Sequence, residues 1–193
     1  FVQTGRKKHI HRPLKNVVDL LDKTTIRQLI SLIYHSNGVI CPITFPMHLA
    51  AALNKPCIVL AGGREPVWWE AYTKTVWREN VGTEPPSDFV PHAYLHTMFG
   101  DLDCCKNSAC WKSKVHGQPR HACIYPTKTE SQTIPKCLAR LSATDVVKHI
   151  KNYEAGIMPE DIEIPVRLGR AICYNDQAVK KLGNKLVTIP PAT

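Results

Sequence analysis

The stretch Gly38–Gly63, GVICPITFPMHLAAALNKPCIVLAGG, decides the fold of this chain. It contains two short apolar runs, Gly38–Cys41 and Cys57–Leu60, on either side of an Ala-rich segment. Apolar runs of about four residues that alternate with helical segments are typical of parallel strands buried on both faces of a sheet. The pattern therefore predicts a strand, a helix and a strand, with Pro46 in the first helical turn and Met47–Leu53 as the helix body.

The residues before this stretch extend the alternation. Phe1–Gln3 predicts a strand that leads into a loop, and Thr24 or Thr25 can cap a following helix. The apolar residues that then recur at helical spacing are Ile26, Leu29, Ile30 and Ile33. We expect this helix to end near Gly38, where glycine would supply a left-handed stop. The order of elements predicts an α/β, Rossmann-like domain built on a parallel sheet.

Two segments form the candidate site by topology alone, because ligands of parallel α/β sheets bind beyond the carboxyl ends of the strands. After Cys41, a helix that begins near Pro46 would expose unpaired backbone N–H groups and the positive end of its dipole, which together suit a diphosphate. After Leu60, Arg64 could pair with a phosphate and Glu65 could bind a sugar hydroxyl. An ordinary turn with a solvated Arg–Glu pair is the alternative for this second segment.

The periodicity disappears between residues 82 and 136 and returns at Ser142. A structureless stretch of that length is unusual in a compact domain, so something other than an apolar core must hold it. Ser142 and Asp145 form a variant of the capping box, which predicts a helix that ends at Gly156, and residues 176–182 suggest one more. The predicted parts are a Rossmann-like core at 1–81, a Cys-rich segment at 82–137, and a C-terminal helix and tail at 138–193.

Cysteines concentrate in the middle segment, whereas Cys41 and Cys57 lie in apolar runs and are predicted as core residues. Spacers of four, twelve and thirteen residues separate the candidate ligands of a tetrahedral metal site, Cys105, Cys110, Cys123 and Cys137. Substitute ligands are Cys104, His116 and His121. Free thiols and disulfides are the alternatives, and the lack of a visible secretion signal favours metal over disulfides. Zinc or iron would be structural here, because four thiolates leave no open position for catalysis.

The formal charge of +9, from 25 Lys and Arg against 16 Asp and Glu, favours anionic partners. The basic residues are scattered and not interleaved with aromatic ones, which favours a solvated surface over a nucleic-acid face. The start at Phe1 suggests an interior cut, with no signal peptide. No run reaches the roughly 18 apolar residues of a transmembrane segment, so we expect a soluble, cytoplasmic protein.

Three segments, taken in order, carry a family resemblance. They are a Thr-led helix start in Leu21–Leu29, a His-Leu-Ala-Ala-Ala-Leu helix in Met47–Pro56, and a strand end with glycines in Leu60–Gly63. Together they resemble glycosyltransferase family nine, the family of ADP-heptose:lipopolysaccharide heptosyltransferases. The resemblance runs over about Val17 to Tyr72. It implies the C-terminal, donor-binding half of a GT-B fold, with the Cys-rich segment as an insertion.

The resemblance also implies a site for a nucleotide-diphospho-sugar donor. Thr44 would bond a phosphate oxygen, with Met47 and His48 nearby, although a core histidine is the alternative for His48. The strand-end residues expected to face the nucleotide are Gly62, Gly63, Arg64 and Glu65. Family members commonly carry Asp-Thr/Ser-Gly before this histidine, whereas the chain has Ile43, Thr44 and Phe45 there. The detailed donor contacts, and the donor itself, are therefore open.

The implied activity is an inverting glycosyl transfer, with ADP-heptose as the donor and a lipopolysaccharide or protein as the acceptor. The family's catalytic base is expected on an N-terminal acceptor domain that this sequence lacks, so we name no catalytic residue and expect no complete enzyme from this chain alone. Some protein-modifying heptosyltransferases that resemble the family carry a comparable four-cysteine metal centre. A glycolipid acceptor would place the protein at the periphery of the inner membrane. The alternative function is a metal-stabilised module that binds nucleic acid or another polyanion.

Overall fold

The computed structural model describes residues 1–6, 13–98, 102–105, 110, 123, 125–129 and 133–160, and the backbone of 167–168 and 171–172. The strands are β1 (Val2–Gly5), β2 (Val18–Leu21), β3 (Val39–Cys41), β4 (Cys57–Gly62), β5 (Ala93–His96), β6 (Pro126–Lys128), β7 (Thr133–Pro135), β8 (Arg167–Leu168) and β9 (Ala171–Ile172). The helices are α1 (Ile26–His35), α2 (Phe45–Ala52), α3 (Lys74–Val81), α4 (Lys136–Ala139) and α5 (Ala143–Glu154). A short 3-10 helix, Val67–Trp69, follows β4.

The two sheets built from β1 to β5 consist of parallel strands. Strands β1 and β2 form a two-stranded sheet, and β3, β4 and β5 form a second sheet in that order. All the pairs within these two sheets are parallel. The pairs β6–β7 and β8–β9 are antiparallel. The predicted α/β class with a parallel sheet is therefore confirmed.

The apolar core lies where α2 packs on the middle strand of the larger sheet. Strand β4 is buried along most of its length, and its Cys57 and Val59 are fully buried. They form one cluster with Met47 and Ala50, which are also fully buried on α2. Small side chains such as that of Ala50 let the helix approach the sheet closely. The Ala-rich stretch between two apolar runs thus fixes the centre of the domain.

Helix α1 begins as the sequence predicts and ends earlier than predicted. Its N-cap is Thr25, whose side chain accepts from the Gln28 N–H in a complete capping box. The helix ends at His35, because the Ser36 N–H and hydroxyl both turn back onto the Ile33 carbonyl. The expected left-handed stop at Gly38 is wrong. A Cβ at this glycine would lie 3.0 Å from the Pro56 carbonyl oxygen, so close approach is the reason for glycine there.

The larger sheet continues past residue 81. Strand β5 lies inside the segment where the sequence shows no periodicity, and it completes the three-stranded sheet. Helix α5 follows Ser142, which caps it by accepting from the Asp145 N–H, and Gly156 ends it with a φ of 73°. The Tyr153 hydroxyl of α5 donates to the Pro91 carbonyl just before β5, at 2.7 Å. Tyr94 and Met98, which lie in the predicted Cys-rich segment, therefore pack into the main core cluster.

Some predictions fall on residues that the structure does not describe. These are the helix at 176–182 and the substitute ligands His116 and His121. Within the described part of the chain, no helix is long and apolar enough to cross a membrane.

Candidate functional site

The start of α2 is open to solvent and lies directly after β3. Thr44 and Phe45 are exposed. Thr44 is the N-cap residue, but its side chain accepts no hydrogen bond from the helix. Its hydroxyl instead donates to the Pro42 carbonyl at 3.2 Å. The positive end of the α2 dipole is thus reachable, without a side-chain cap, at the place that the sequence predicts for an anion.

His48, on the first turns of the same helix, is held by two side chains that sequence reasoning did not assign to the site. Its Nδ1 lies 2.8 Å from the Tyr72 hydroxyl. Its Nε2 lies 3.4 Å from a carboxylate oxygen of Glu70. The imidazole is 41% exposed, so it is not the buried core histidine of the alternative interpretation. No signal in the sequence linked Glu70 or Tyr72 to His48, because the pair follows a different strand.

A cleft opens beside His48 between α2, α3 and residues 86–89. Its volume is about 380 Å³. Its aromatic walls come from Tyr72, Trp77 and Phe89, and small α2 residues, Ala51 and Ala52, form its floor. His48 is the predicted site residue that reaches this cleft.

Met47 lies in the core rather than in an open site. Its side chain is fully buried in the cluster on β4, and the Tyr94 hydroxyl lies 3.8 Å from its sulfur. The expectation that Met47 lines the donor site is therefore not met by its side chain. The reason is helical geometry: Met47 and Ala50 share the α2 face that packs on the sheet, whereas His48 lies on another.

The turn after β4 is covered by cysteines. A Cβ at Gly63 would lie 2.5 Å from the Cys105 sulfur, and one at Gly62 would lie 3.1 Å from the Cys137 sulfur. The Cys110 N–H donates to the Gly63 carbonyl at 2.9 Å. Both glycines are buried. They permit the close approach of thiols to the strand end, and they do not offer open backbone to a nucleotide as the sequence had suggested.

Arg64 and Glu65, the next residues of this turn, point in part to solvent. The Arg64 Nε lies 3.7 Å from a Glu65 carboxylate oxygen, and the arginine side chain is 61% exposed. An exposed pair of this kind contributes little to stability and leaves the guanidinium available to a ligand. This is the geometry of the alternative interpretation, a solvated pair in a turn.

The thiols of the middle segment gather at the same strand end. Burial, together with the nearby thiols Cys104 and Cys137, raises the pKa of Cys105 and of Cys110 to about 11. Burial likewise raises the pKa of Cys137, and Cys123 adds to that shift. The described cysteines are all free. Cys105, Cys110 and Cys137 are therefore neutral thiols at pH 7 unless a cation lies among them.

The described cysteines fit a structural metal by donor chemistry, but they are not arranged as a ligand set. Sulfur donors at a strand end suit zinc or iron. Among the residues that the structure describes, however, no three Cys, His, Asp or Glu side chains lie close enough together to hold a metal ion. The four-cysteine site thus stays a prediction, and the Cys–Gly contacts are what the structure adds to it.

Comparison with protein families gives one match. The model of glycosyltransferase family 9 (heptosyltransferase) matches residues 3–88. This stretch of the chain is similar to glycosyltransferase family 9. It runs from β1 to the segment before β5, and it contains the open start of α2, His48, Glu70 and Tyr72. The family domain supports a heptosyltransferase-like glycosyltransferase, for which a nucleotide-sugar donor and an acceptor are implied.

The match ends before β5 and before the cysteines of the middle segment, and it covers less than half of the 193 residues. Searches of curated proteins and of solved structures found no match.

Proposed function

We propose that this chain binds the diphosphate of a nucleotide-sugar at the start of α2, as the donor-binding part of an inverting glycosyltransferase that uses ADP-heptose. The observation that supports this best is the open, uncapped start of α2 within the family 9 stretch. Backbone amides at a helix start, aligned with the helix dipole, bind phosphate without any charged side chain. The Thr44 hydroxyl and His48 lie on this cap and helix and would add side-chain donors.

The rest of the enzyme is proposed from the family. The described α/β domain corresponds to the C-terminal half of a GT-B fold, with the cysteine-bearing segment as an insertion. An N-terminal acceptor domain would supply the catalytic base, and the acceptor would be a lipopolysaccharide or a protein. Such an enzyme would act in the cytoplasm, at the periphery of the inner membrane where the acceptor is a glycolipid.

Calorimetric titration of the chain with ADP, UDP and GDP tests the donor site. We expect ADP to bind with a Kd in the range of roughly 1 μM to 1 mM that is usual for substrates. His48→Gln should weaken ADP binding roughly tenfold to hundredfold, the worth of one hydrogen bond to a charged group. The matched control is His35→Gln, because His35 is an exposed histidine at the end of α1.

Silence from all three nucleotides, or equal affinity of the two histidine variants, would contradict the donor site. Binding of an oligonucleotide that falls steeply with salt, in place of ADP binding, would instead support the polyanion-binding alternative.

We also propose that Cys105, Cys110, Cys123 and Cys137 hold a structural zinc or iron ion beside the β4 strand end. Elemental analysis of the purified chain should find about one metal per chain, as a four-thiolate site requires. Cys110→Ser should remove the metal, and Cys41→Ala, at a core cysteine on β3, should retain it. Because burial raises the pKa of Cys105 and Cys110 to about 11, ligation must release protons, and metal affinity should rise with pH. A metal-free protein of unchanged stability would count against the site.

A further inference from the structure

His48 meets two groups of different hydrogen-bonding character. The Tyr72 hydroxyl, at Nδ1, can donate or accept, whereas an ionised Glu70 carboxylate, at Nε2, can only accept. Burial and the nearby Glu70 raise the pKa of Tyr72, so its hydroxyl keeps its proton at neutral pH. The arrangement that satisfies both contacts has Tyr72 donating to Nδ1 and the histidine proton on Nε2. The other neutral tautomer would turn the Nε2 lone pair towards a carboxylate.

Tyr72 is itself fixed by backbone contacts on both sides. Its N–H donates to the Tyr94 hydroxyl at 2.8 Å, and its carbonyl accepts from the His92 N–H at 2.8 Å. Its ring lies 5.8 Å from the His48 ring in an edge-on contact. The Tyr94 hydroxyl also lies 3.8 Å from the sulfur of Met47, the residue before His48. The Tyr72 backbone is therefore held by Tyr94 of β5 and by His92, and its side chain extends from this anchored position to His48.

Glu70, in contrast, is loosely held. Its side chain is 50% exposed, and its distance of 3.4 Å from Nε2 is long for a hydrogen bond between charged groups. An exposed pair of this kind is weak and easily exchanged. Any other anion that approaches Nε2 must compete with this carboxylate, because the two negative charges repel each other at short range.

We propose that Tyr72 and Glu70 are positioning residues that hold His48 in its Nε2-protonated form. In the free protein, the Glu70 carboxylate occupies the position beside Nε2 that the donor diphosphate would take on binding. This inference rests on the proposed donor site for the identity of the anion. Tyr72 sets the tautomer through a rigid contact. In the free protein, Glu70 keeps the Nε2–H of His48 directed outward. Its negative charge lowers the affinity of the site for the incoming phosphate.

Imidazole nitrogen shifts of the 15N-labelled chain test the tautomer without any ligand. At pH 8, above the usual titration range of histidine, His48 should be protonated at Nε2 in the parent protein. Tyr72→Phe keeps the ring and its packing and should give a mixture of the two tautomers. Tyr34→Phe, at an exposed tyrosine on α1, is the control and should change nothing. An Nδ1-protonated His48, or a tautomer unaffected by Tyr72→Phe, would overturn the proposal.

ADP titration then separates the two positioning residues. Tyr72→Phe should lower ADP affinity roughly threefold to tenfold, the usual worth of one hydrogen bond. Glu70→Gln should raise it about twofold to fivefold, as expected for loss of an exposed competing charge. Glu154→Gln, at an exposed position on α5, should have no effect. Equal or weaker binding by Glu70→Gln would remove the competing role of Glu70.

A parent protein that binds no ADP would refute the proposed donor site. The nitrogen shifts would still decide whether Tyr72 and Glu70 position His48, so the two failures are distinguishable.

Discussion

The turns after β3 and β4 occupy equivalent places at neighbouring parallel strands, yet they are built in opposite ways. The turn after β3 leads to an exposed, uncapped helix start at Thr44. At the end of β4, the two glycines are buried, with Cys105 and Cys137 against them. Topology makes both turns candidate sites. The first turn leaves a helix start open to solvent, whereas the two glycines of the second are covered and only its Arg64 side chain is largely exposed.

The largest expected effect concerns His92, a buried histidine whose ring lies next to that of Tyr72. Burial lowers the pKa of His92 to about 4, and its ring lies 5.2 Å from that of Tyr72. In the unfolded chain, histidine takes up a proton near pH 6.5. As the pH falls from 6.5 to 4, the unfolded state gains a proton that the folded state does not, so the free energy of unfolding should fall by up to about 3 kcal/mol.

Urea unfolding at several pH values measures this loss. His92→Phe keeps the ring contacts and should weaken the dependence of the free energy of unfolding on pH. His35→Gln should leave that dependence as it is in the parent protein. If His92→Phe, like His35→Gln, keeps the full dependence of the free energy of unfolding on pH, the burial of His92 is not its cause.

A second test concerns the covered turn. Gly63→Ala places a methyl group against the Cys105 sulfur and should lower the free energy of unfolding by about 2 kcal/mol. Cys105→Ala in the same chain should recover part of this cost, because it removes the nearest atom. Gly156→Ala is the matched control, since a Cβ there meets nothing within 4 Å and adds only the strain of a positive φ. Additive costs at positions 63 and 105 would mean that the cysteine does not cover the turn.

The smallest expected effect distinguishes two helix starts. Thr25 caps α1 by accepting from the Gln28 N–H, so Thr25→Ala should cost about 1 kcal/mol. Thr44 makes no such bond, so Thr44→Ala should change stability by less than about 0.5 kcal/mol. Of these two threonine variants, only Thr44→Ala should weaken ADP binding, because the Thr44 hydroxyl would contact the phosphate. Equal costs in thermal or denaturant unfolding would show that the α2 start is capped after all.

The sequence predicts the elements whose pattern is local. Strands β1, β3 and β4, and helices α1, α2 and α5, follow from apolar runs, helical spacing and caps such as Thr25 and Ser142. Strand β5 could not be predicted in this way, because only four residues enter the sheet, His92 precedes them and His96 is the last of them. Strand β2 contains Asp19, which interrupts its apolar run. These strands are defined by their parallel neighbours rather than by their own composition.

The residues of the candidate site also divide into those that a local segment of sequence predicts and those that only the fold brings together. The start of α2 can be identified from a helix that follows a strand, and the family resemblance of that short segment assigns Thr44 and His48 to it. Glu70 and Tyr72 could not, since they reach His48 across 22 and 24 residues of chain. The burial of Met47 depends on which face of α2 meets the sheet.

By itself, the sequence determined the parallel α/β class, the helix that follows β3, and the resemblance to glycosyltransferase family nine over about Val17 to Tyr72, a stretch that lies within the family match at residues 3–88. Only the tertiary structure decided that the turn after β4 lies beneath cysteines and that Tyr72 and Glu70 hold His48. The physical reason is range: strand and helix signals arise from neighbours a few residues apart. Burial of a glycine turn and the tautomer of a histidine depend on groups that only folding brings together.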